Sequence, residues 1–373
     1  MRESLLILGA SVRAAAQSAA RIGLRPFCGD LFCDADLPEC AIGQVARSFP
    51  TDLLRIAEQA PAGLWMYTGG LENYPRVVAR ISRRHELLGT APKNLRRVRD
   101  PFELHRVFGR AGLLVPECRE SDERVPRDGG WLIKHRGSSA GLRVFLWQKD
   151  SPSARTRGWY FQRRIEGLSV GAVFVAAEGH ATLLGICEQL LVSVDERPFQ
   201  YGGSVGPLSL GPDQQAIVTD IGRVLAAEFE LRGLFGVDLI VAADGVWTIE
   251  VNPRYTASVE VLERVFGFNA VSLQIAACRE GQVPVVESPP APSAGKSILY
   301  AERTCEITAD KSAALEKLRG GQPWPIVGDV PRTGTRIERG QPALTLFADG
   351  PSAAAVRESL RSLSAEVRAE LGL

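Results

Sequence analysis

The chain has 373 residues, of which 45% are hydrophobic and 23% charged, and its formal net charge is +1. This length accommodates two or three domains with cores of their own, and the hydrophobic fraction excludes a disordered protein. The balanced charge argues against a general nucleic-acid binder, because such a protein presents a net basic surface to the phosphate backbone.

The apolar segments are short and resemble strands. None approaches the roughly 20 residues that cross a bilayer, and the apolar run that ends at Gly9 is too short for the core of a secretion signal. The seven cysteines are an odd number, so we expect small buried side chains rather than a disulfide framework. The sequence therefore predicts a cytoplasmic protein with no membrane and no nucleic-acid partner.

The N-terminal stretch has the pattern of a strand–helix–strand unit. Leu5–Leu8 is a continuous apolar run, typical of a strand buried on both faces, and the helix-favouring segment Val12–Ile22 follows it. A second predicted strand ends at Asp30. Gly9 and Asp30 suggest a dinucleotide site, but the second and third glycines of that motif are absent. We therefore predict a Rossmann-like domain without NAD.

A lysine at the end of a predicted strand precedes a loop of small residues. The strand begins at Gly130 and carries Lys134. The loop that follows contains Gly137, Ser138, Ser139 and Gly141. Backbone N–H groups, hydroxyls and a lysine point charge suit a phosphate group. The residues alone leave open an ordinary hairpin turn with cations facing solvent.

A second predicted hairpin places acidic and amide side chains together. Asp238 lies on its first strand, and Glu250 and Asn252 share one face of the return strand because they are two residues apart. Two carboxylates and an amide oxygen are hard ligands that suit Mg²⁺ or Mn²⁺ beside nucleotide phosphates. A solvated strand face would explain one or two of these residues, but not Pro253 and Arg254 directly after them.

In their order along the chain, these features resemble the ATP-grasp superfamily, and the resemblance covers most of the sequence. It rests on the Lys134 loop, on Gln162–Gly167, on Asp238 and on the Glu-Val-Asn-Pro-Arg sequence of Glu250–Arg254. The resemblance implies an α/β protein with an N-terminal Rossmann-like domain, central nucleotide-binding α+β subdomains and a small β-rich cap. The expected boundaries are residues 1–90, 91–283 and 293–373.

The resemblance also implies a set of nucleotide contacts. Lys134 would contact the ATP phosphates, together with Arg99 in place of a family lysine. The loop residues Gly137, Ser138, Ser139 and Gly141 would close over them. The hinge would hold adenine, partly through its backbone, and Glu166 would replace a ribose contact because Leu168 occupies the usual acidic position. The hinge residues are Gln162, Arg163 and Ile165.

The remaining roles implied by the resemblance are catalytic. Asp238, Glu250 and Asn252 would hold Mg²⁺ or Mn²⁺. Arg254 would face the acyl phosphate or the transferred phosphate, and Lys134 would offset the charge of the phosphoryl group. The implied activity is ATP-dependent ligation of a small carboxylate to an amine or related nucleophile, through an acyl phosphate and with release of ADP and phosphate. Two alternatives stay open: a biotin-carboxylase-like enzyme acting on bicarbonate, and an ATP-binding protein that no longer turns over.

The C-terminal part is predicted to follow a Pro/Ser-rich linker, Pro284–Pro292. It resembles the C-terminal region of biotin-carboxylase-like members. It cannot be a biotin carrier, because the Met-Lys-Met sequence of such carriers is absent; Met1 and Met66 are the only methionines. A hairpin-like β segment over Gly334–Ala348 and an amphipathic helix over Ser352–Leu371 are expected. This cap either closes the active site or forms the contact of a homodimer.

One further segment, Phe199–Pro207, is rich in glycine and aromatic residues. We predict a loop there, which serves as a mobile cover or as a wall of the substrate site. An ordinary glycine-rich surface loop is an equally good interpretation.

Overall fold

A computed structural model describes residues 3–121, 123–151, 157–195, 197–284, 292–319 and 324–372. Most of the predicted linker Pro284–Pro292 therefore lies outside the described residues. Within these ranges no single helix has the length and apolar content to cross a membrane. Only Ala257–Phe266 and Ala270–Glu280 taken together, across a 113° bend, meet that test.

The N-terminal part is built on a parallel five-stranded sheet with the strand order β3-β2-β1-β4-β5. Its elements are β1 (Ser4–Leu8), α1 (Arg13–Arg21), β2 (Arg25–Asp30), β3 (Ile42–Val45), α2 (Thr51–Gln59), β4 (Leu64–Tyr67), α3 (Pro75–Ile81) and β5 (Glu86–Leu87). A short 3₁₀ helix, Leu71–Asn73, follows β4. The central strands β1 and β4 are buried on both faces, which is why they consist of continuous apolar residues.

Two helices lead into a four-stranded antiparallel sheet with the order β6-β9-β7-β8. Its elements are α4 (Pro92–Val98), α5 (Pro101–Ala111), β6 (Cys118–Arg119), β7 (Asp128–His135), β8 (Val144–Gln148) and β9 (Trp159–Arg163). The carboxylate of Asp100 accepts a hydrogen bond from the N–H of Phe102 and caps the start of α5. Gly112, with φ of 70°, ends this helix in the left-handed region.

The rest of the chain forms an eight-stranded antiparallel sheet, a two-stranded sheet and the helices around them. The elements are β10 (Leu168–Ala177), β11 (His180–Val194), β12 (Arg197–Gly206), α6 (Pro212–Phe229), β13 (Gly233–Ala242), β14 (Gly245–Asn252), α7 (Ala257–Phe266), α8 (Ala270–Ile275), β15 (Ser293–Tyr300), β16 (Cys305–Glu306), α9 (Ala309–Leu318), β17 (Val327–Gly328), β18 (Arg336–Ile337), β19 (Pro342–Gly350) and α10 (Ala353–Leu371). The strand order of the large sheet is β14-β13-β10-β11-β12-β15-β19-β17. The C-terminal strands thus extend the same sheet that carries β13 and β14.

The hydrophobic core joins the parallel sheet to the large sheet. Met66 of β4, Val175 of β10 and Leu262 of α7 are buried in one cluster. On the opposite side of the large sheet, α6 covers Phe174 and Phe235, whose rings stack at 5.0 Å between centroids. The fold class expected from the sequence is confirmed by this mixed α/β architecture.

Two local predictions were wrong. Phe199–Pro207 is not a loop, because Phe199 to Gly206 form most of β12 between β11 and β15. Its glycines allow close packing: a Cβ at Gly203 would lie 2.0 Å from the carbonyl oxygen of Lys296. Gly334–Ala348 is not a hairpin either, since β18 pairs with β16 and β19 pairs with β15. The predicted helix Ser352–Leu371 is confirmed as α10.

A buried ion cluster ties the N-terminal, central and C-terminal parts together. Arg13 of α1 donates to both carboxylate oxygens of Glu260 on α7 and to Asp329 beyond β17. Lys296 of β15 donates to Glu260 at 3.1 Å. Asp36 accepts two backbone N–H bonds from the segment after β17. Burial alone would raise the pKa of Asp329, but Arg13 lowers it to about 2. Ionised partners therefore hold the three parts in one arrangement.

Replacing Arg13 by alanine tests this cluster. The change leaves Asp36 and Asp329 without their cation and Glu260 with Lys296 alone, so we expect the free energy of unfolding to fall by about 3–5 kcal/mol. Arg80→Ala is the matched control, because Arg80 is 62% exposed and pairs with an equally exposed Glu58. Denaturant titration of both variants measures the difference. Equal stabilities would contradict a structural role for the cluster.

Candidate active site

Three of the predicted site residues, Arg99, Lys134 and Glu250, line a cleft between the four-stranded sheet, the large sheet and the start of α5. The cleft contains about 360 Å³ of space between protein atoms, part of it open to solvent. Its lining includes Arg99, Lys134, His135, Arg136, Tyr160 and Glu250. Lys134 on β7 pairs with Tyr160 on β9, while Glu250 comes from β14. The cleft thus combines cations from one side with a carboxylate from the other.

The β13–β14 hairpin brings the three predicted metal ligands together. Asp238 and Glu250 are direct partners in the ladder. The Nδ2 of Asn252 donates to Asp238 Oδ2 at 3.0 Å, and the Nε2 of Gln189 donates to Asp238 Oδ1 at 2.6 Å. Asp238 is therefore fixed by two amides, one from its own hairpin and one from β11.

The two carboxylates differ in their charge environment. Burial would raise the pKa of Glu250, but Arg99 and Lys134 together lower it. Arg99 Nη1 donates to Glu250 Oε1, and Lys134 Nζ lies 4.0 Å from Glu250 Oε2. Burial, and then the charge of Glu250, raise the pKa of Asp238. A cation between these two side chains would relieve their repulsion.

This donor set fits a hard divalent ion. Within the described ranges, no group of three or more His, Cys, Asp or Glu side chains lies close enough to hold a metal by itself. Asp238 and Glu250 provide two carboxylates, and Asn252 adds an amide. Mg²⁺ is commonly held by one or two carboxylates together with phosphate oxygens and water. The residues are consistent with a metal that is completed by a phosphorylated ligand.

The small-residue loop after β7 contacts the same arginine. Arg99 Nη2 donates to the carbonyl oxygen of Ser138 at 2.9 Å and to Asn73 Oδ1 at 3.1 Å. Asn73 Nδ2 in turn donates to Ser139 Oγ at 3.0 Å. Gly137 donates its N–H to the imidazole of His135 at 3.1 Å. The loop is thereby connected to Arg99 and to the N-terminal sheet.

Gly141 allows this loop to dock on β12. Its φ is +76°, and a Cβ there would lie 1.8 Å from the carbonyl oxygen of Phe199. The N–H of Tyr201 donates to the carbonyl oxygen of Ala140 at 3.2 Å. The segment that was wrongly predicted as a loop therefore forms the surface against which the Gly/Ser loop lies.

The hinge residues are placed differently from one another. Gln162 is buried, accepts from Lys134 Nζ at 3.0 Å and approaches the carbonyl oxygen of Ile249 at 3.5 Å. The side chains of Arg163 and Glu166 are exposed, and Ile165 is half-buried. Leu168 is 41% exposed. Gln162 therefore contacts Lys134, which lines the cleft, whereas Arg163, Ile165 and Glu166 are not part of the lining.

Arg254 joins the hairpin to the parallel sheet. Its Nε donates to Glu72 Oε1 at 2.9 Å, and its Nη2 donates to Asn252 Oδ1 at 3.3 Å. The hydroxyl of Tyr67, the last residue of β4, donates to the carbonyl oxygen of Pro253 at 3.0 Å. The carboxyl end of β4 thus lies directly against the end of β14.

Sequence reasoning missed Glu72, Asn73 and Gln189. A signal existed for the first two, since they follow the Gly-rich turn after β4, and ligands bind at the carboxyl ends of parallel strands. Gln189 had no local signal. Its role depends on the pairing of β10 with both β11 and β13, which brings it beside Asp238.

Substituting Gly141 tests whether the loop depends on this close approach. Gly141→Ala should displace the loop from β12 and speed hydrogen exchange at the amide of Tyr201. Gly179→Ala is the control, because Gly179 has a similar φ of +80° but no atom within 4 Å of the added Cβ. Exchange measured by NMR or mass spectrometry should be faster only in Gly141→Ala. The same rate in both variants would contradict the docked loop.

The chain resembles known proteins over the region that contains this site. A family model described as ATP-grasp domain matches residues 98–258, which include every predicted site residue. An uncharacterised protein of Methanocaldococcus jannaschii is 21% identical over 272 residues, which are 70% of this chain and 63% of that protein. The aligned part is therefore less than two thirds of that relative.

Solved structures share the fold over nearly the whole chain. An L-amino acid ligase from Bacillus licheniformis has a TM-score of 0.71 at 16% identity and covers 98% of both chains. The biotin carboxylase domain of 2-oxoglutarate carboxylase from Hydrogenobacter thermophilus has a TM-score of 0.73 at 15% identity, covering 97% of this chain and 89% of that one. Together with the domain match, these similarities support the resemblance seen in the sequence: the chain contains an ATP-grasp domain over residues 98–258, and nearly its whole length shares the fold of these proteins.

Proposed function

We propose that the protein is an ATP-dependent ligase that joins a small carboxylate to an amine or related nucleophile. The observation that carries the proposal is the half-buried pair Asp238 and Glu250, whose second member contacts Arg99 and Lys134 at the lining of one cleft. Such an arrangement suits a polyphosphate and its metal, because it offers positive charge to the phosphates and carboxylates to the cation. The reaction passes through an acyl phosphate and releases ADP and phosphate.

ATP and Mg²⁺ or Mn²⁺ are the proposed cofactors. The structure of the Hydrogenobacter domain was determined as a complex with MgADP, ADP and bicarbonate, which supports nucleotide binding by this fold. Asp238, Glu250 and Asn252 would hold the metal, and Lys134 and Arg99 would hold the phosphates. The metal, when bound, would supply positive charge that offsets the developing charge of the phosphoryl group.

Arg99 would change partners when the ligands enter. It now neutralises Glu250 and has lost most of its exposure to water, with 9% of the side chain accessible. With a divalent ion held by Glu250, Arg99 would be free to bind a phosphate oxygen. An arginine can do this with two parallel N–H bonds, which a lysine cannot form. The replacement of the family lysine by Arg99 is therefore compatible with the activity.

Arg254 and the small-residue loop would act on the reacting groups. Arg254 would bind the acyl phosphate or the transferred phosphate, at the junction of β14 and the parallel sheet. The loop with Gly137, Ser138, Ser139 and Gly141 would exclude water from them. Excluding water strengthens each of these electrostatic contacts and protects an acyl phosphate from hydrolysis.

The proposal also assigns the remaining nucleotide contacts. The backbone of the hinge, with Arg163 and Ile165, would hold adenine, and Glu166 would reach the ribose. The proposal includes a cytoplasmic location and three domains, with the boundaries 1–90, 91–283 and 293–373. The Hydrogenobacter domain was crystallised as a dimer, which supports a homodimer as one role of the C-terminal region.

The second candidate function is a biotin-carboxylase-like activation of bicarbonate. The similarity to the Hydrogenobacter domain, over 97% of this chain, favours it. A protein that binds ATP without turnover is the third. All three predict nucleotide binding, and they differ in the substrates that trigger ADP release.

A substrate panel separates these candidates. We expect ADP and phosphate to appear from MgATP only when a carboxylate and an amine are both present, with amino acids, amines and small acids tested in pairs. Release with bicarbonate alone would favour the carboxylase-like activity. ATP binding without release of ADP under any condition would favour the third candidate, a protein that binds ATP without turnover. No affinity for ATP in a calorimetric titration would contradict all three.

The metal role is tested by Glu250→Gln. Removing the charge while keeping the shape should lower Mg²⁺-dependent turnover by at least about 100-fold, because a metal contributes several kcal/mol to phosphoryl transfer. Glu188→Gln is the matched control, since Glu188 is partly buried and ion-paired with Arg357 outside the cleft. Unchanged turnover of Glu250→Gln would refute the metal role.

A further inference from the structure

We infer that Glu72 and Asn73 are positioning residues: they fix Arg254, Arg99 and the small-residue loop in the geometry that the ligase reaction needs. They lie in the 3₁₀ helix Leu71–Asn73, at the carboxyl end of β4. This inference rests on the proposed function and adds to it a role for the N-terminal sheet. The sheet does not only complete the fold; it supplies the support for both arginines of the site.

Glu72 orients Arg254 through an ion pair with its guanidinium group. Its side chain is 0% exposed, and its Oε1 accepts from Arg254 Nε at 2.9 Å. Arg254 also donates to Tyr255 O at 3.2 Å and to Asn252 Oδ1 at 3.3 Å. A planar guanidinium held at three nitrogens has a fixed orientation, and its remaining N–H groups are available to an anion.

The second oxygen of Glu72 supports a functional reason for its burial. Among the described residues, Glu72 Oε2 is buried without a hydrogen-bond partner. A buried unpaired carboxylate oxygen is costly, so the folded state tolerates it for the sake of the ion pair with Arg254. An ordinary packing residue at this position would be apolar.

Asn73 connects Arg99 to the loop with both ends of its amide. Its Oδ1 accepts from Arg99 Nη2 at 3.1 Å, and its Nδ2 donates to Ser139 Oγ at 3.0 Å. Arg99 donates in addition to the carbonyl oxygen of Ser138 at 2.9 Å. The position of the loop and the position of the arginine are therefore set by one side chain.

The turn that carries these residues is itself fixed by the parallel sheet. The carbonyl oxygen of Gly69 accepts from Ala10 N at 2.7 Å. Gly70, with φ of +97°, packs against Phe49, whose ring would lie 2.8 Å from an added Cβ. Glu72 and Asn73 thus act on different partners from one rigid base, and their variants should fail in different ways.

Asn73→Ala tests the contact with the nucleotide side of the site. Loss of the bonds to Arg99 and Ser139 should weaken the binding of MgADP about tenfold, as expected when a hydrogen bond to a charged group is removed. Isothermal calorimetry with MgADP measures this without any knowledge of the other substrates. Arg76→Ala, an exposed position three residues further on, is the control and should bind MgADP as the unchanged protein does.

Glu72→Gln tests the contact with the reacting side. The variant keeps the size and the acceptor oxygen but loses the charge that orients Arg254. With the substrate pair found by the panel, kcat should fall roughly 100-fold. The affinity for MgADP and the KM for ATP should change less than about twofold. This split between kcat and nucleotide affinity is not expected from a merely structural residue.

Three results would overturn the inference. The first is MgADP binding by Asn73→Ala equal to that of Arg76→Ala. The second is a kcat of Glu72→Gln equal to that of the unchanged protein. The third is an equal loss of affinity, kcat and melting temperature in both variants, which indicates structural damage. If Asn73→Ala does not fold, the isosteric Asn73→Asp, which loses the donor to Ser139, replaces it.

The inference and the proposed function fail in distinguishable ways. If the unchanged protein binds no MgADP, the proposed function is wrong and the inference falls with it. If the unchanged protein binds MgADP and turns over but the two variants behave like Arg76→Ala, only the inference is wrong.

Discussion

The site depends on one constraint: Asp238 and Glu250 lie side by side and half-buried on neighbouring strands, and their charges have to be neutralised. In the structure Arg99 and Lys134 do this for Glu250, while amides from Gln189 and Asn252 bind Asp238. Because a buried charge without a partner is costly, the elements that carry these residues have to meet. This requirement places the small four-stranded sheet, the end of α4 and the β13–β14 hairpin around one cleft.

The same principle operates at two other junctions. Arg254 and Glu72 join the hairpin to the parallel sheet, and Arg13 with Glu260 and Asp329 joins that sheet to the C-terminal strands. These pairs connect parts of the chain that are far apart in sequence. The overall neutrality of the chain therefore conceals strong local contrasts, since cations and carboxylates are concentrated where the sheets meet.

Much of the fold and site could be predicted from local patterns. The buried strand β1, the helix α10 and the hairpin with Asp238, Glu250 and Asn252 follow from apolar runs, helical amphipathicity and two-residue spacing. The strand β12 was misread because its glycines, which normally mark loops, here permit close approach of β11 and β15. Gln189 had no local signal, because its partner lies 49 residues away; Glu72 could be placed near the site, but its partner, 182 residues away, could not be foreseen.

The central claim is that Asp238 and Glu250 hold a divalent ion against a nucleotide. The most direct measurement is the anomalous scattering of Mn²⁺ in crystals grown with MnADP. The account predicts a manganese peak bound by the carboxylates of Asp238 and Glu250, with Arg99 moved from Glu250 to a phosphate oxygen. A nucleotide bound elsewhere, or a cleft in which Arg99 still pairs with Glu250 and no manganese is present, would contradict it.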